Sequence, residues 1–351
     1  MFKSRHMVVT AALILVAASA MASNFRAADQ VYLPVAGHLT AGAGTFVSDV
    51  FISNVTSDSV TVSVIYTPTT NLSGAVQQPQ YFNNVLTLQP NERRELNDFL
   101  GVPAPAGLGL SSAFGTLVFN GCRATANCTI NQDDSGGHLD FRDIAVLSRI
   151  YLIPVGQNPS TAATTGQDIP GIPWYNYASS RAATPNGLHR LAITGFRQTG
   201  TGGQAGTYRG NLGVMNASQF STTTLLLRLW KGADRTTPVS ERRVNLGPLN
   251  HVQASITDLF QGVVAGPNTT NLYVTIEQES STAVAGSPAT CLADGCPAFL
   301  AYGAVLDNVT GDATTLESIF ERSLTLDMIT AIYGKGSNNL PIIRRAVRRT
   351  P

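Results

Sequence analysis

Residues 44–54 have the sequence Gly-Thr-Phe-Val-Ser-Asp-Val-Phe-Ile-Ser-Asn, and residues 206–216 have the related sequence Gly-Thr-Tyr-Arg-Gly-Asn-Leu-Gly-Val-Met-Asn. In both stretches an aromatic residue, two aliphatic residues and the final Asn fall on one parity. Alternate residues of a strand share a face, so each stretch predicts a strand with an apolar inner face. The final Asn suits a turn. The matched pairs are Phe46 with Tyr208, Val50 with Leu212, Ile52 with Val214, and Asn54 with Asn216.

The length and the composition predict two β-rich domains. A chain of 351 residues exceeds one ordinary sandwich and suits two domains that each bury a core. Charged residues make up only 13%, and 32 Gly and 18 Pro are present, which favours short strands and tight turns over amphipathic helices. We therefore expect an all-β protein of two tandem immunoglobulin-like β-sandwich domains at 28–156 and 188–316. A connector at 157–187 joins them, and a short C-terminal helix and a basic tail follow at 317–351.

The N-terminal residues 1–22 have the pattern of a secretory signal peptide. Lys3 and Arg5 precede an apolar run at 7–18, and small residues follow it. The run is too short to span a membrane, and we expect no integral membrane segment in the mature chain. Removal of the signal changes the net charge from +1 to −1, which argues against nucleic acid as a partner. The expected location is secreted, periplasmic or cell-surface.

The four cysteines form two close pairs, Cys122 with Cys128 and Cys291 with Cys296. In an exported protein this arrangement predicts two disulfides, each of which closes a small loop. A zinc site is the competing interpretation, and it would need both pairs to converge from different domains.

An aromatic cluster, Trp174, Tyr175 and Tyr177, follows the Pro-rich and Gly-rich part of the connector. Its rings suit a platform that stacks on a sugar or a peptide. The alternative is that they pack into the seam between the two domains, because an interdomain contact has to bury apolar surface.

Two groups of acidic residues are candidates for ligand binding or catalysis. Asp133, Asp134 and Asp140 lie in a loop with Gly and Asn, so that their oxygens could hold calcium, although the spacing matches no EF-hand. A solvated acidic loop is the alternative. Asp98 and Asp258 recur at matching places, where they predict capped helical turns rather than catalytic carboxylates. We expect no cofactor apart from possible calcium.

Several short motifs recur in order along the chain. They are the Gly-Thr-aromatic openings, a Pro-Asn or Pro-Leu-Asn turn at 90 and 248, Gly-Gln-Asp-Ile-Pro-Gly at 166–171, and Ala-Tyr-Gly-Ala-Val-Leu-Asp-Asn-Val-Thr-Gly-Asp at 301–312. With these motifs the chain resembles a group of secreted bacterial proteins with tandem β-sandwich domains, over most of residues 30–316. The resemblance implies the fold and export, and it brings no known activity with it.

The C-terminal region predicts a helix at 317–332, where apolar residues have helical spacing. The tail beyond it carries four arginines and no acid. It suits an anionic cell-surface polymer, or it is a disordered basic end. The arginines are Arg344, Arg345, Arg348 and Arg349.

The sequence contains no H-E-x-x-H, G-x-S-x-G or P-loop motif. We therefore expect a non-catalytic structural or adhesive protein that contacts a cell-surface polymer, a glycan or another extracellular protein. A carbohydrate-binding protein with its site near Trp174 is the first alternative. A hydrolase with a site in the interdomain cleft is the second, because the paired carboxylates of a glycosidase leave no short motif.

Overall fold

The computed structural model describes residues 26–41, 44–124, 140–157, 165–179, 190–200, 206–234, 236–263, 266, 269–287, 291–292 and 296–320. The predicted signal peptide at 1–22 and the residues from 321 onward lie outside this part of the chain, and so does most of the acidic loop.

The described residues confirm an all-β chain, with eighteen strands, one 3-10 turn at Trp174–Asn176 and one four-residue helix, α1, at Ile256–Leu259. In the first half the strands are β1 Gln30–Ala41, β2 Gly44–Asn54, β3 Val60–Pro68, β4 Gln80–Leu88, β5 Arg93–Leu96, β6 Ala113–Arg123, β7 Ile144–Pro154, β8 Thr165–Pro170 and β9 Ile172–Pro173. In the second half they are β10 Arg190–Phe196, β11 Tyr208–Asn216, β12 Ser221–Lys231, β13 Ser240–Leu246, β14 His251–Ser255, β15 Leu272–Ala283, β16 Phe299–Asp307, β17 Ala313–Glu317 and β18 Ile319–Phe320.

The strands of the first half form one antiparallel sheet with two wings, because β1 has two partners. Its residues from Gln30 to His38 pair with β6, and its last residues, Leu39 to Ala41, pair with β2. We call β4-β3-β6-β1-β9 the first wing and β5-β2-β7-β8 the second wing. The wings enclose the first hydrophobic core, to which Val62 and Phe119 contribute from the first wing and Ile52 and Val146 from the second.

The second half forms two antiparallel sheets with the same order of strands. Its five-stranded sheet is β13-β12-β15-β10-β18 and its four-stranded sheet is β14-β11-β16-β17. Each label is the corresponding label of the first half plus nine, so that the repeat in sequence is accompanied by a repeat in topology. Leu227 and Ile276 from the five-stranded sheet meet Val214 and Ala301 from the four-stranded sheet in the second core.

The repeated strands occupy equivalent central places, as β2 and β11. Val50, Ile52, Leu212 and Val214 are at most 1% exposed, as their parity predicts. Phe46 departs from the pattern at 37% exposed, because it pairs with Leu39 in the β1–β2 hairpin, near the end of the sheet.

The four-stranded sheet carries a core on each face. Val214 and Ala301 point into the second core, whereas their chain neighbours Met215 and Tyr302 belong to the cluster of the first half. Leu249 and Leu300 join the same cluster. The first core therefore continues into the second half, across a boundary that we call the seam.

The helix predicted at 317–332 is wrong over 317–320, the part of it that the structure describes, and the helical turn predicted at Asp258 is present but has a different cap. The predicted C-terminal helix begins in residues that are strands: Glu317 ends β17, and β18 pairs with β10 through Ile319 opposite Ala192 and Phe320 opposite Leu191. At Ile319 and Phe320, backbone pairing with β10 replaces the helical conformation that the sequence predicts. The cap of α1 is Ser255, whose hydroxyl accepts from the Asp258 amide, so Asp258 lies inside the turn.

No helix among the described residues has both the length and the apolar character needed to cross a bilayer.

Candidate functional site at the seam

Hydrogen bonds between loops of the two halves cross the seam. The Asn250 amide group makes two of them to the Gln77 backbone: its Oδ1 accepts from the Gln77 amide at 2.7 Å, and its Nδ2 donates to the Gln77 carbonyl at 2.8 Å. The Thr70 amide donates to the His251 carbonyl at 2.7 Å. The Tyr32 hydroxyl donates to the Ala217 carbonyl at 3.1 Å. Buried polar groups need such partners, so the bonds fix how the halves meet.

His251 lies at the centre of the seam and is fully buried. Its Nδ1 is 3.1 Å from the Thr69 hydroxyl, and its Nε2 is 3.0 Å from the Tyr302 hydroxyl. The Tyr302 hydroxyl donates to Gln253 Oε1 at 2.6 Å, so it accepts from His251, which assigns the ring hydrogen to Nε2. Burial lowers the pKa of His251 to about 3, and it raises the pKa of Tyr302 well above its usual value. Both side chains are therefore neutral at physiological pH.

The Tyr302 ring packs against β11 at a position that only glycine can occupy. Its ring stacks on His251 with centroids 5.8 Å apart. A Cβ atom on Gly213, the residue opposite Tyr302, would lie 2.2 Å from Tyr302 Cε1. Gly213 of β11 corresponds to Phe51 of β2, and the absence of a side chain at Gly213 leaves space for the Tyr302 ring.

An open cleft of ≈ 870 Å³ lies where the edge strand β8 of the first half approaches the edge strand β17 of the second. Arg149, Asp168, Thr314 and Glu317 are among the residues that line it. Two bonds join the edges beside it: Gln167 Nε2 donates to the Thr315 hydroxyl at 2.9 Å, and that hydroxyl donates to the Asp168 carbonyl at 2.6 Å. A narrow crevice of ≈ 30 Å³, which Tyr302 and Leu316 help to line, adjoins the cleft and has room for about one water.

The predicted aromatic platform lies in the interior. Trp174 and Tyr177 are each 3% exposed and belong to the first core cluster. The Trp174 indole Nε1 donates to Asp29 Oδ1 at 2.7 Å. Ala178 then pairs with Phe299, so the connector runs from the first half onto the second. Neither buried ring presents a face to a ligand in this arrangement. The side chain of Tyr175 lies outside the described part.

An aromatic pair that the sequence analysis did not single out lies on the outer face of the five-stranded sheet. Trp230 and Tyr273 are partners in β12 and β15, and both are partly exposed. Their ring centroids are 6.0 Å apart, with an interplanar angle of 9°. Strand parity carries the signal that could have found them: Leu225, Leu227 and Leu229 fill the core, so the even position 230 faces outward.

The cysteines and the acidic loop are only partly within the described residues. Cys291 and Cys296 form a disulfide. Cys122 is buried and disulfide-bonded, while Cys128 lies outside, so the pairing of Cys122 with Cys128 stays a prediction. In the described part no cluster of three or more His, Cys, Asp or Glu side chains is placed to hold a metal ion.

Asp140 is the one candidate calcium ligand that the structure describes, and it is engaged by arginines. Its carboxylate forms ion pairs with Arg142 and, at 3.1 Å, with Arg123, and both arginines also contact Asp58. Asp133 and Asp134 lie outside the described residues, as do the tail residues Arg344, Arg345, Arg348 and Arg349.

Asp98 and Asp258 each bond within their own half. His38 Nδ1 is 2.8 Å from Asp98 Oδ1, and the Asp98 amide donates to Asp49 Oδ1 at 2.9 Å. Asp49 also accepts from the Tyr151 hydroxyl at 3.2 Å. Burial and, after it, the Asp49 charge raise the pKa of Tyr151 to about 12. Asp258 accepts from the Ser255 hydroxyl at 2.6 Å, a bond that closes the start of α1.

Comparison with protein-family models gives no match, and comparison with curated proteins gives none.

Proposed function

We propose that the chain is an exported, non-catalytic protein with a structural or adhesive role at or outside the cell surface. The observation that carries this proposal is the seam, where His251 is neutral and fully buried. Two hydrogen bonds between the Asn250 side chain and the Gln77 backbone also hold the halves in one arrangement. A fixed spacing between two β units suits a protein that bears load or presents a surface.

Two tandem immunoglobulin-like sandwiches are the proposed architecture. The repeated strand order supports the duplication, and two of its pairings support the fold type. β2 lies beside β5 and β3 lies beside β6, on different wings, as strands B and E and strands C and F do in immunoglobulin domains. The outer strands are exchanged relative to that fold, since β1 lies beside β6 and β7 beside β2.

Export is supported by the disulfide between Cys291 and Cys296, because such bonds persist in oxidising compartments. A cell-surface polymer, a glycan or another extracellular protein remains the proposed partner.

Fractionation of the producing cells tests the proposal. We expect the chain in the surface or extracellular fraction, and we expect a variant without residues 1–22 to stay inside. Replacement of Arg344, Arg345, Arg348 and Arg349 by Ser would release the chain into the medium if the tail holds an anionic polymer. Recovery of the unaltered chain from the cytosol would contradict the proposal.

A carbohydrate-binding protein is the second candidate, and the parallel rings of Trp230 and Tyr273 favour it because sugars stack on aromatic faces. A hydrolase is the third, since Asp168 and Glu317 line one cleft. Release of reducing sugar from a polysaccharide separates a hydrolase from the other two.

A further inference from the structure

We propose that the cleft between β8 and β17 is a binding site for a neutral glycan chain. This inference rests on the proposed adhesive function and names the ligand through which the protein would adhere. The site differs from the buried aromatic cluster at Trp174, and it lies where the two halves meet, a common position for ligand sites.

The cleft is held in shape before any ligand arrives. Thr315 connects the two edge strands, because its hydroxyl accepts from Gln167 Nε2 and donates to the Asp168 carbonyl. The fixed edges avoid part of the ordering cost of binding. The same bond occupies a backbone acceptor of β8, which disfavours an added peptide strand, since strand addition uses the free backbone groups of an edge.

The lining has the mixed chemistry that a sugar requires. Arg149 supplies donors, Asp168 and Glu317 supply acceptors, and the Thr314 hydroxyl supplies both. Leu147 and Pro170 add apolar surface for the C–H faces of a sugar ring. Each sugar hydroxyl both donates and accepts, so a lining with both kinds of group can satisfy it.

The charges of the lining disfavour an anionic chain. Two carboxylates and one guanidinium give the lining a net negative charge, which opposes an anionic polymer. The volume of ≈ 870 Å³ lies within the usual range of ligand sites, about 300–1,000 Å³. Because the cleft is open, a polysaccharide can pass through it without a chain end.

Affinity electrophoresis of the mature full chain tests the proposal. The gels contain galactomannan, dextran or hydroxyethyl cellulose as neutral probes, or alginate as the anionic probe. The variants are Asp168→Ala and Thr314→Val, and the matched control is Glu279→Ala, which removes an exposed carboxylate from the five-stranded sheet. Thermal melting shows that each variant is folded.

We expect at least one neutral polysaccharide to retard the chain. The combined Asp168→Ala and Thr314→Val variant should bind about tenfold or more weakly, which corresponds to the loss of two hydrogen bonds, and Glu279→Ala should bind like the unaltered chain. Thr314→Val keeps the side-chain shape and gives an answer even if Asp168→Ala does not fold. The proposal is overturned if no neutral probe retards the chain, if only alginate does, or if the cleft variants behave like the control.

The result can be separated from that of the adhesive proposal. A chain that stays on the producing cells but is not retarded overturns the cleft assignment alone. A chain that a neutral polysaccharide retards but that does not stay at the cell surface overturns the adhesive role and leaves the cleft assignment in place.

Discussion

His251 is a polar residue that is fully buried at the seam between the two halves. Its two ring nitrogens contact Thr69 and Tyr302, so the ring satisfies its hydrogen-bonding capacity only while the two halves are together and only while it is neutral. The sequence could not identify this role, because Thr69 lies 182 residues away and no local pattern connects the two positions.

Acid should therefore destabilise the folded protein through His251. The pKa of His251 is lowered from 6.5 to about 3, so between these pH values the unfolded state binds a proton that the folded state does not. Stability should fall with decreasing pH across this window, with a contribution from His251 that approaches about 1.4 kcal/mol per pH unit. Urea unfolding at pH 7, 5.5 and 4.5 measures the slope.

The matched variants are His251→Gln and His38→Gln. The first should be less stable at pH 7, and its free energy of unfolding should fall less steeply between pH 5.5 and 4.5. The second replaces a histidine at the surface end of β1 and should keep the slope that His251 contributes. An equal slope in His251→Gln and the unaltered chain would show that His251 is not the group responsible.

The turn after the repeated strand is the element that the sequence predicted best. β2 ends at Asn54 and β11 at Asn216, and both side chains continue the chain into a turn: Asn54 Oδ1 accepts from the Thr56 amide, and Asn216 Oδ1 accepts from the Ser218 amide. The Asn54 amide group also donates to the Gln89 carbonyl, in the loop between β4 and β5, and the Asn216 amide group donates to the Gly247 carbonyl, in the loop between β13 and β14. Asn54 and Asn216 therefore make equivalent hydrogen bonds in the two halves.

Asn216→Ala should lower the free energy of unfolding by about 2–3 kcal/mol. Asn216 is fully buried, and the change leaves the Ser221 and Gly247 carbonyls without the donor that lies 2.7 and 2.9 Å away. Urea unfolding at pH 7 measures the loss. Asn245→Ala, at an exposed position with one bond to Thr224, should cost less than about 0.5 kcal/mol. Similar losses in both variants would contradict the role given to the turn.

Parity predicted the strands that have one solvent face and was less informative for those between two cores. In β12 the partly exposed residues Thr224, Arg228 and Trp230 lie on the face opposite to buried Leu225, Leu227 and Leu229, and Leu226 is the one buried exception among them. In β16 almost every residue is buried. A strand covered on both faces loses its alternation. Trp174, by contrast, lies in the 3-10 turn outside any strand, and no strand parity could indicate that the core encloses its ring.

At the scale of the whole molecule, the seam makes the two halves one unit. Four buried side chains of the second half pack in the core of the first half: Met215, Leu249, Leu300 and Tyr302. The sequence predicted two similar units because it contains the repeat. It could not predict how they pack, because residues at the seam differ in character from their counterparts in the first half: Met215 corresponds to Ser53, and His251 corresponds to Arg93.

Thermal unfolding of the full chain should occur in one transition, with calorimetric and van't Hoff enthalpies in agreement. Leu300→Lys places a charge at a position that is 1% exposed and should destabilise the seam by about 3 kcal/mol or more, so that the halves unfold in two separate steps. Differential scanning calorimetry distinguishes the two profiles. Thr224→Lys, at a partly exposed position on the outer sheet, is the control and should keep one transition. Two transitions in the unaltered chain would mean that the seam does not couple the halves.

The register of the repeat shows which residue of the first half occupies the position that His251 has in the second half. Arg93 lies opposite Ser53, just as His251 lies opposite Met215, so an exposed arginine occupies the place that the buried histidine has in the second half. A second molecule that docked on this face as the first half docks on the second half would enclose the Arg93 guanidinium, which is costly without a carboxylate partner. Head-to-tail growth of copies through this face is therefore disfavoured.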